Sequence, residues 1–268
     1  MTVGVIISTY NHPEWLEKVL WGYLCQTVKA DEIIIADDGS TQETTALIKQ
    51  YSNKLPIKHI WHEDRGFRKP VILNKAILAS NAMYLVFTDQ DCVPRADFIE
   101  THLKHARKGF FLSAGYFMLP LSLSKKISSV DIESQQAFSL NWLKKNGLKC
   151  SFKCSKLLNV AWFSKLMNAV TPTNASWNGC NASGWRDDII AVNGFNNSMT
   201  YGGEDREFGE RLFNSGIKSK QIRYSAIVLH LDHLRPYKTE EAIRYNKNIW
   251  KNTIRMNTII CPDGIKQL

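Results

Sequence analysis

Short, uninterrupted apolar runs alternate along the first half of the chain with longer stretches in which apolar side chains recur every three or four positions. The runs Val3–Thr9, Glu32–Ala36, Ile57–Trp61, Tyr84–Thr88 and Phe110–Met118 read as strands, because β-branched and aromatic residues crowd into segments too short for helices. Between them the spacing predicts helices. One opens at Asn11-His-Pro13, with Asn11 as its cap, and carries Trp15, Val19, Leu20 and Leu24 at helical spacing. Others run over Thr41–Tyr51, Lys69–Ser80 and Ala96–Lys108. Strands alternating with helices over short connections predict an α/β fold built on one mostly parallel sheet, flanked by helices on both faces. Ligands of such sheets bind beyond the carboxyl ends of the strands. Ser8-Thr-Tyr-Asn11, Asp37-Asp38 and Asp89-Gln-Asp91 all stand at such ends.

From Ser122 to Thr173 the pattern changes. Ile127–Leu143 reads as one amphipathic helix, and a Lys-rich stretch interleaved with Trp142, Phe152, Trp162 and Phe163 continues it. From Trp177 the chain is rich in Gly, Asn, Trp and Asp, as binding loops are. Glu204–Ser215 reads as a helix stopped by Gly216, and Ile222–His230 as a strand. The last thirty or so residues look partly helical and basic.

A chain of 268 residues, 44% hydrophobic and 22% charged, is an ordinary globular composition for one large α/β domain or two small ones. No apolar run approaches the roughly 18 to 20 residues that span a bilayer, and no basic leader precedes the first strand. A cytoplasmic location is therefore expected. The six cysteines are scattered, and Cys150 and Cys154 have no second Cys/His pair at zinc-like spacing, so free thiols are expected. The net charge of +9 is unevenly placed. Between Glu133 and Asp187 there is no acid, whereas Lys144, Lys145, Lys149, Lys153, Lys156, Lys165 and Arg186 fall in that interval. Such a segment implies an anionic partner. Nothing resembles a base-reading module, so nucleic acid is not an expected partner.

Candidate chemistry gathers at two acidic places. Asp89 and Asp91 flank Gln90 at the end of an apolar strand, where a tight turn lets both reach one hard cation and the phosphates it bridges. A plain turn or helix cap suits the same residues, since Pro94 follows. Glu204 and Asp205 follow Gly202 and Gly203 where a helix begins, and can supply a general base. Asp37-Asp-Gly-Ser40 fits a strand-to-helix turn, and Arg65-Gly-Phe-Arg-Lys69 fits either a solvated loop or a diphosphate cradle. Two separate acidic sites suit metal-dependent transfer of a group carried on phosphate. The base must stand opposite the departing phosphate, while a metal neutralises the leaving group.

In order, the motifs are Val5-Ile-Ile-Ser-Thr-Tyr-Asn11, Asp37-Asp-Gly-Ser40, Arg65-Gly-Phe-Arg68, Thr88-Asp-Gln-Asp91, Asn178-Gly-Cys-Asn181, Gly202-Gly-Glu-Asp205 and His230-Leu-Asp-His233. The set, from about Thr2 to Tyr237, resembles the family 2 glycosyltransferases of the GT-A fold. The second half resembles the galactosyltransferase-type C-terminal segment of chondroitin polymerase and β-1,4-galactosyltransferase domains. The resemblance implies a nucleotide-sugar-binding half over 1–120, an acceptor-binding and catalytic-base half of the same domain over 121–240, and a basic helical tail over 241–268. It implies an inverting enzyme that moves a sugar from a UDP-sugar donor to a saccharide or lipid-linked saccharide acceptor, in bacterial surface polysaccharide or lipopolysaccharide synthesis.

By the same resemblance Ser8, Thr9, Tyr10, Asp37 and Asp38 surround the uracil and ribose. Arg65 and Arg68 face the diphosphate, and Asn178 and Asn181 lie near the transferred sugar. Asp89 and Asp91 match the Asp-X-Asp motif that binds Mn2+ or Mg2+, with His230, and less favourably His233, completing the metal shell. Glu204 and Asp205 match the catalytic pair, with Asp205 favoured as the base. The Gln-X-X-Arg-Trp motif and the membrane spans of many lipid-linked synthases are missing from this sequence, which argues against a processive membrane synthase. The basic segment suggests peripheral contact with anionic membrane at the inner face of the plasma membrane. Two other classes compete. A sugar nucleotidyltransferase needs a Gly-rich signature that Ser8-Thr-Tyr-Asn11 does not supply, and intact Asp89, Asp91, Glu204 and Asp205 argue against a non-catalytic sugar-nucleotide-binding module.

Overall fold

Every residue of Val3–Thr9 (β1) is buried, a condition met by a strand inside a sheet covered on both faces. The computed structural model, which describes residues 1–149, 151–233 and 238–268, sets β1 within an eight-stranded sheet. The chain continues through α1 Pro13–Leu24, β2 Glu32–Asp37, α2 Gln42–Tyr51, β3 Ile57–Trp61, α3 Lys69–Ala79, β4 Tyr84–Asp89, β5 Cys92–Pro94, α4 Phe98–His105 and β6 Phe110–Met118. Then come α5 Leu121–Lys126, α6 Ser129–Glu133, α7 Leu140–Lys145, α8 Ala161–Val170, β7 Asn181–Trp185, α9 Arg186–Ala191, α10 Glu204–Asn214, β8 Lys218–His230 and α11 Glu240–Arg255.

The strand order is β3-β2-β1-β4-β7-β6-β8-β5. β1 pairs in parallel with β2 on one side and β4 on the other. Crossovers therefore leave β1 in one direction and return past it. That reversal opens a crevice beyond the carboxyl ends of β1 and β4, where Ser8 stands opposite Asp89. The parallel arrangement holds over β1–β4 and between β6 and β8. β7 runs antiparallel to β4 and β6, and β5 antiparallel to β8. Alternate side chains feed opposite cores, as strand geometry requires. Val5, Ile7, Ile33 and Ile35 join α1, α2 and α4 on one face. Ile6 and Ile34 meet Ile72, Ala76, Ile189 and Phe208 on the other.

Two expectations need correction. Ile127–Leu143 is not one helix. Gln135 takes a left-handed φ of 60°, and Ser128 and Ser139 each accept a backbone N–H to start a new short helix. Serine competes with a helix interior in just this way. Asn11 does not cap α1. It sits at φ 47°, the cap position falls to His12, and Asn11 Oδ1 accepts the Thr41 N–H instead. The segment 241–268, expected as a basic helical tail, carries most of α11. Asn246 and Thr253 of α11 are buried, and α11 packs on α10. Asn246 Nδ2 donates to Thr200 O at 2.6 Å and to Gly202 O at 3.1 Å. Cys150 and residues 234–237, the end of the stretch that carries the resemblance, lie outside the described residues. The other five cysteines are free.

α10 is the element that matters for chemistry, and its position is fixed from two sides. Gly209 lets it close on Trp177, since a Cβ there would lie 2.8 Å from the Trp177 Cβ. Trp177 is in turn buried among Phe87, Phe111 and Phe208. Removing so large a buried ring costs about 3–5 kcal/mol. Arg211 and Glu207 form a fully buried ion pair at 2.9 Å. Arg211 also donates to Val192 O and Gly194 O, and the Thr253 hydroxyl donates to Glu207.

Candidate active site

A cavity of about 590 Å³ opens at the crevice beyond β1 and β4, within the size range of small-ligand sites. Ser8, Thr9, Tyr10, Asp38, Asp89, Asp91, Asn178, Glu204, Asp205, His230 and His233 all line it. Residues more than two hundred positions apart in sequence thus share one chamber.

One end of the cavity begins at the tip of β1. Ser8 Oγ donates to Asp89 Oδ1 at 2.5 Å. Gln90, between the two aspartates, bonds the neighbouring strand end. Its Oε1 accepts the Tyr10 N–H and the Thr9 hydroxyl, and its Nε2 donates to Tyr10 O. Tyr10 Oη donates to Asp64 at 2.9 Å, a contact that raises the phenol's pKa. Asp38 accepts the Arg68 N–H and meets His62 Nε2 at 2.6 Å. Burial raises the Asp38 carboxyl, and the His62 contact opposes it.

The acidic turn splits its two carboxylates between different partners. Asp89 Oδ1 takes Lys69 Nζ at 2.6 Å. Asp91 Oδ2 lies 2.8 Å from His233 Nε2 and 3.5 Å from His230 Nδ1. Burial would raise Asp91, but the His233 hydrogen bond and the two imidazoles outweigh it and hold the acid down to about 2. Among the described residues, Asp91, Cys92 and His230 form a group whose ligand atoms lie within 4.8 Å of one another. The Cys92 thiol itself donates to Asp91 Oδ1.

Glu204 and Asp205 open α10. Gly202 and Gly203 before them take φ of 104° and 98°, left-handed values that side chains resist. The turn so formed aims both carboxylates into the cavity. Glu204 Oε2 accepts the Gly202 N–H at 2.9 Å, and Asp205 Oδ2 accepts the Gly179 N–H at 3.1 Å. Burial, and then the Asp205 charge, push Glu204 up to about 7. Burial also raises Asp205. Lys69 faces both acidic clusters. Burial would lower its amine, but Asp89, Glu204 and Asp205 keep it above the ordinary lysine value.

Four expected residues do not reach the cavity. Asp37 turns back to Ser40 N and His59, the usual partners of a strand-to-helix turn. Arg65 is exposed and pairs with Glu63. Arg68 offers Asp38 its backbone N–H. Asn181 is fully buried in the sheet, where Nδ2 donates to Gly115 O and Ala226 O and Oδ1 meets His102. The sequence reading passed over Lys69, Gln90, Phe67 and Tyr201. The Phe67 and Tyr201 rings meet edge-on at 5.7 Å and join the two rim loops. The basic run ending in Lys69 and the helix signal after it were the available clue to the lysine.

Residues 4–121 match Glycosyl transferase family 2, and residues 168–234 match the N-terminal domain of galactosyltransferase. The chain is 26% identical over 249 residues to a hyaluronan synthase of Pasteurella multocida, covering 82% of this chain and 24% of that protein. It is 27% identical over 241 residues to a validoxylamine A glucosyltransferase of Streptomyces hygroscopicus, covering 83% of this chain and 54% of that one. The chain thus spans only part of the relatives' length. Among solved structures, Staphylococcus aureus TarS 1-349 in complex with UDP-GlcNAc superposes with a TM-score of 0.65 at 14% identity, over 100% of this chain and 69% of that one. The mannosyltransferase PcManGT of Pyrobaculum calidifontis, in complex with GDP-Man and Mn2+, gives 0.58 at 19% identity over 88% and 58%. At these identities the likeness is one of fold.

Proposed function

We infer that this chain, a family 2 glycosyltransferase domain of the GT-A fold continued by a galactosyltransferase-type segment, transfers a sugar with inversion from a UDP-sugar to a saccharide or lipid-linked saccharide acceptor. The observation that carries the reading is one cavity holding two acidic centres with opposite chemistry. Asp91, beside His230 and His233, is kept ionised, whereas the Glu204–Asp205 pair is pushed towards protonation. Separated acid–base settings of this kind mark a division of roles.

Asp205 is the base. Its carboxylate is held by the Gly179 and Arg206 amides, so it is oriented before the acceptor arrives. It takes the proton of the acceptor hydroxyl while that oxygen bonds the anomeric carbon. The bond from the anomeric carbon to the nucleotide's phosphate oxygen breaks, and its electron pair leaves on UDP. Lys69, between the two centres, offsets charge on the departing diphosphate. Asp38 and Tyr10 line the nucleoside end. The Asp91, His230 and His233 donor set, one carboxylate and two imidazoles, fits a divalent ion, and its nitrogen content favours Mn2+ over Mg2+. When bound, the ion neutralises the diphosphate. Asp89, already held by Ser8 and Lys69, sits nearer the ribose or an ion-bound water.

Among the described residues no helix is long and apolar enough to cross a membrane. Peripheral contact with anionic lipid, at the inner face of the plasma membrane, is part of the same proposal. It draws on Phe152 and Trp162, 75% and 70% exposed, beside a lysine-rich surface. Release of UDP from a panel of UDP-sugars, with Mn2+ or EDTA and with or without saccharide acceptors, tests the activity. The expected result is metal-dependent release stimulated by acceptor. Equal release in EDTA, or none with any UDP-sugar, overturns it.

A further inference from the structure

A second cavity, of about 430 Å³, adjoins the first. Tyr116, Asn178 and Asp205 line both, so the proposed base faces two chambers. We propose that the second chamber is the acceptor site and that it selects an acceptor bearing a phosphate or carboxylate close to the reacting hydroxyl. The inference rests on the reading of Asp205 as the base.

Charge carries the argument. Lys149, Lys153, Lys156, Arg206 and Arg223 line the chamber, and Asp205 is the one carboxylate among its described lining residues. Among the described residues none of the five cations forms a salt bridge. They come from three separate places in the chain: the 3-10 turn over Phe152–Leu157 with the loop before it, the first turn of α10, and β8. The fold therefore assembles the cluster, and it is not an accident of one lysine-rich run. Burial, followed by the charges of Arg223 and Lys153, lowers the Lys156 amine below the ordinary lysine value, as expected for like charges crowded without a counter-ion. Lys156 Nζ donates to Tyr116 O and lies 5.5 Å over the Tyr116 ring, which fixes it at the wall shared by the two chambers. An anionic ligand relieves this repulsion and gains charge-assisted hydrogen bonds. A neutral sugar does neither. The donor's diphosphate has its own partners at Lys69 and the Asp91 cluster, on the other side of Asp205.

The test is equilibrium binding of three probes to the full chain with the donor cavity filled by UDP and Mn2+: glucose, glucose 1-phosphate and glucuronic acid. At low salt the charged sugars should bind about tenfold more tightly than glucose, the scale of one charge-assisted hydrogen bond. The advantage should shrink as salt screens it. It should collapse in the double variant Lys149→Glu, Lys153→Glu. Both lysines are exposed, so its thermal unfolding should match the wild type. Arg223→Gln should lose part of the advantage by an independent route. UDP affinity, titrated separately, should stay unchanged in all variants. A failure of the donor reading therefore shows in that titration and not in the sugar comparison. Phosphate binding more tightly than carboxylate identifies a phosphorylated acceptor, and the reverse a uronic acid. Equal binding of charged and neutral sugars, or an advantage that survives both variants, overturns the proposal. So does binding confined to phosphatidylglycerol vesicles with none of the soluble anions, which makes the cluster a membrane surface.

Discussion

Asp91 and Asp205 are both recessed carboxylates, yet their neighbours drive them apart. Two imidazoles hold Asp91 ionised, while burial raises Asp205. Asp91→Ala should abolish UDP release and weaken UDP binding in Mn2+, while leaving UDP binding in EDTA unchanged. Retained activity sinks its role as a metal ligand. Asp205→Asn keeps the shape and loses the basicity. Turnover should drop about 100-fold or more, the usual scale for a lost general base, with UDP affinity unaltered. An active Asp205→Asn beside a dead Glu204→Gln exchanges the two roles. Glu204 also makes a stability prediction. Its pKa in the fold is about 7, against an ordinary 4.5, so the folded state binds more protons between those values. Its destabilising effect is absent below about pH 4.5, grows as pH rises through 7 and is complete above it. Glu204→Gln should therefore stabilise the unliganded protein at pH 8 by on the order of 1–3 kcal/mol, and by little at pH 4.5. Urea unfolding at the two pH values measures this. In wild type, burial raises Asp205 too, so a pH–rate profile should show kcat/KM falling on acidification at a higher pH than an ordinary aspartate would give.

At the scale of elements, α10 carries the proposed base and is held by the Glu207–Arg211 pair. Arg211→Leu leaves Glu207 charged and unpaired, and should cost about 3–5 kcal/mol, read as a lowered urea midpoint with an unchanged slope. An unchanged midpoint removes the pair from any structural role. The central strands were plain in the sequence because burial on both faces leaves continuous apolar runs, and their polar ends marked the crevice. The helix expected over Ile127–Leu143 was not real. Its apolar spacing came from three short pieces, and only the left-handed Gln135 reveals the breaks. Lys69 was hidden by its neighbours. Arg65, Arg68 and Lys69 are equivalent as charges in a loop, and which one turns inward depends on where α3 starts. Asn178 and Asn181 show the same limit. Three residues apart, one faces the cavity and the other is consumed by bonds within the sheet.

Across the whole molecule, the lysine-rich segment divides into Lys149, Lys153 and Lys156, which line the second cavity, and Lys144, Lys145 and Lys165, which are exposed outside it. Vesicle co-sedimentation should show binding to anionic but not neutral lipid, weakened by high salt and by changing Lys144, Lys145 and Lys149 to Glu. At about 1 kcal/mol per lysine near the surface, three reversals should leave little. Binding indifferent to lipid charge leaves the segment as a flap over the acceptor side. The hold of Asn246 on Thr200 and Gly202 makes the last long helix a clamp on the glycine turn before the proposed base. A chain without α11 keeps every strand of the sheet and loses that clamp. A nascent or clipped chain ending near residue 238 should then capture UDP without turning over its sugar. On the proposed function, α11 then separates a chain that only captures an activated sugar from one that can transfer it.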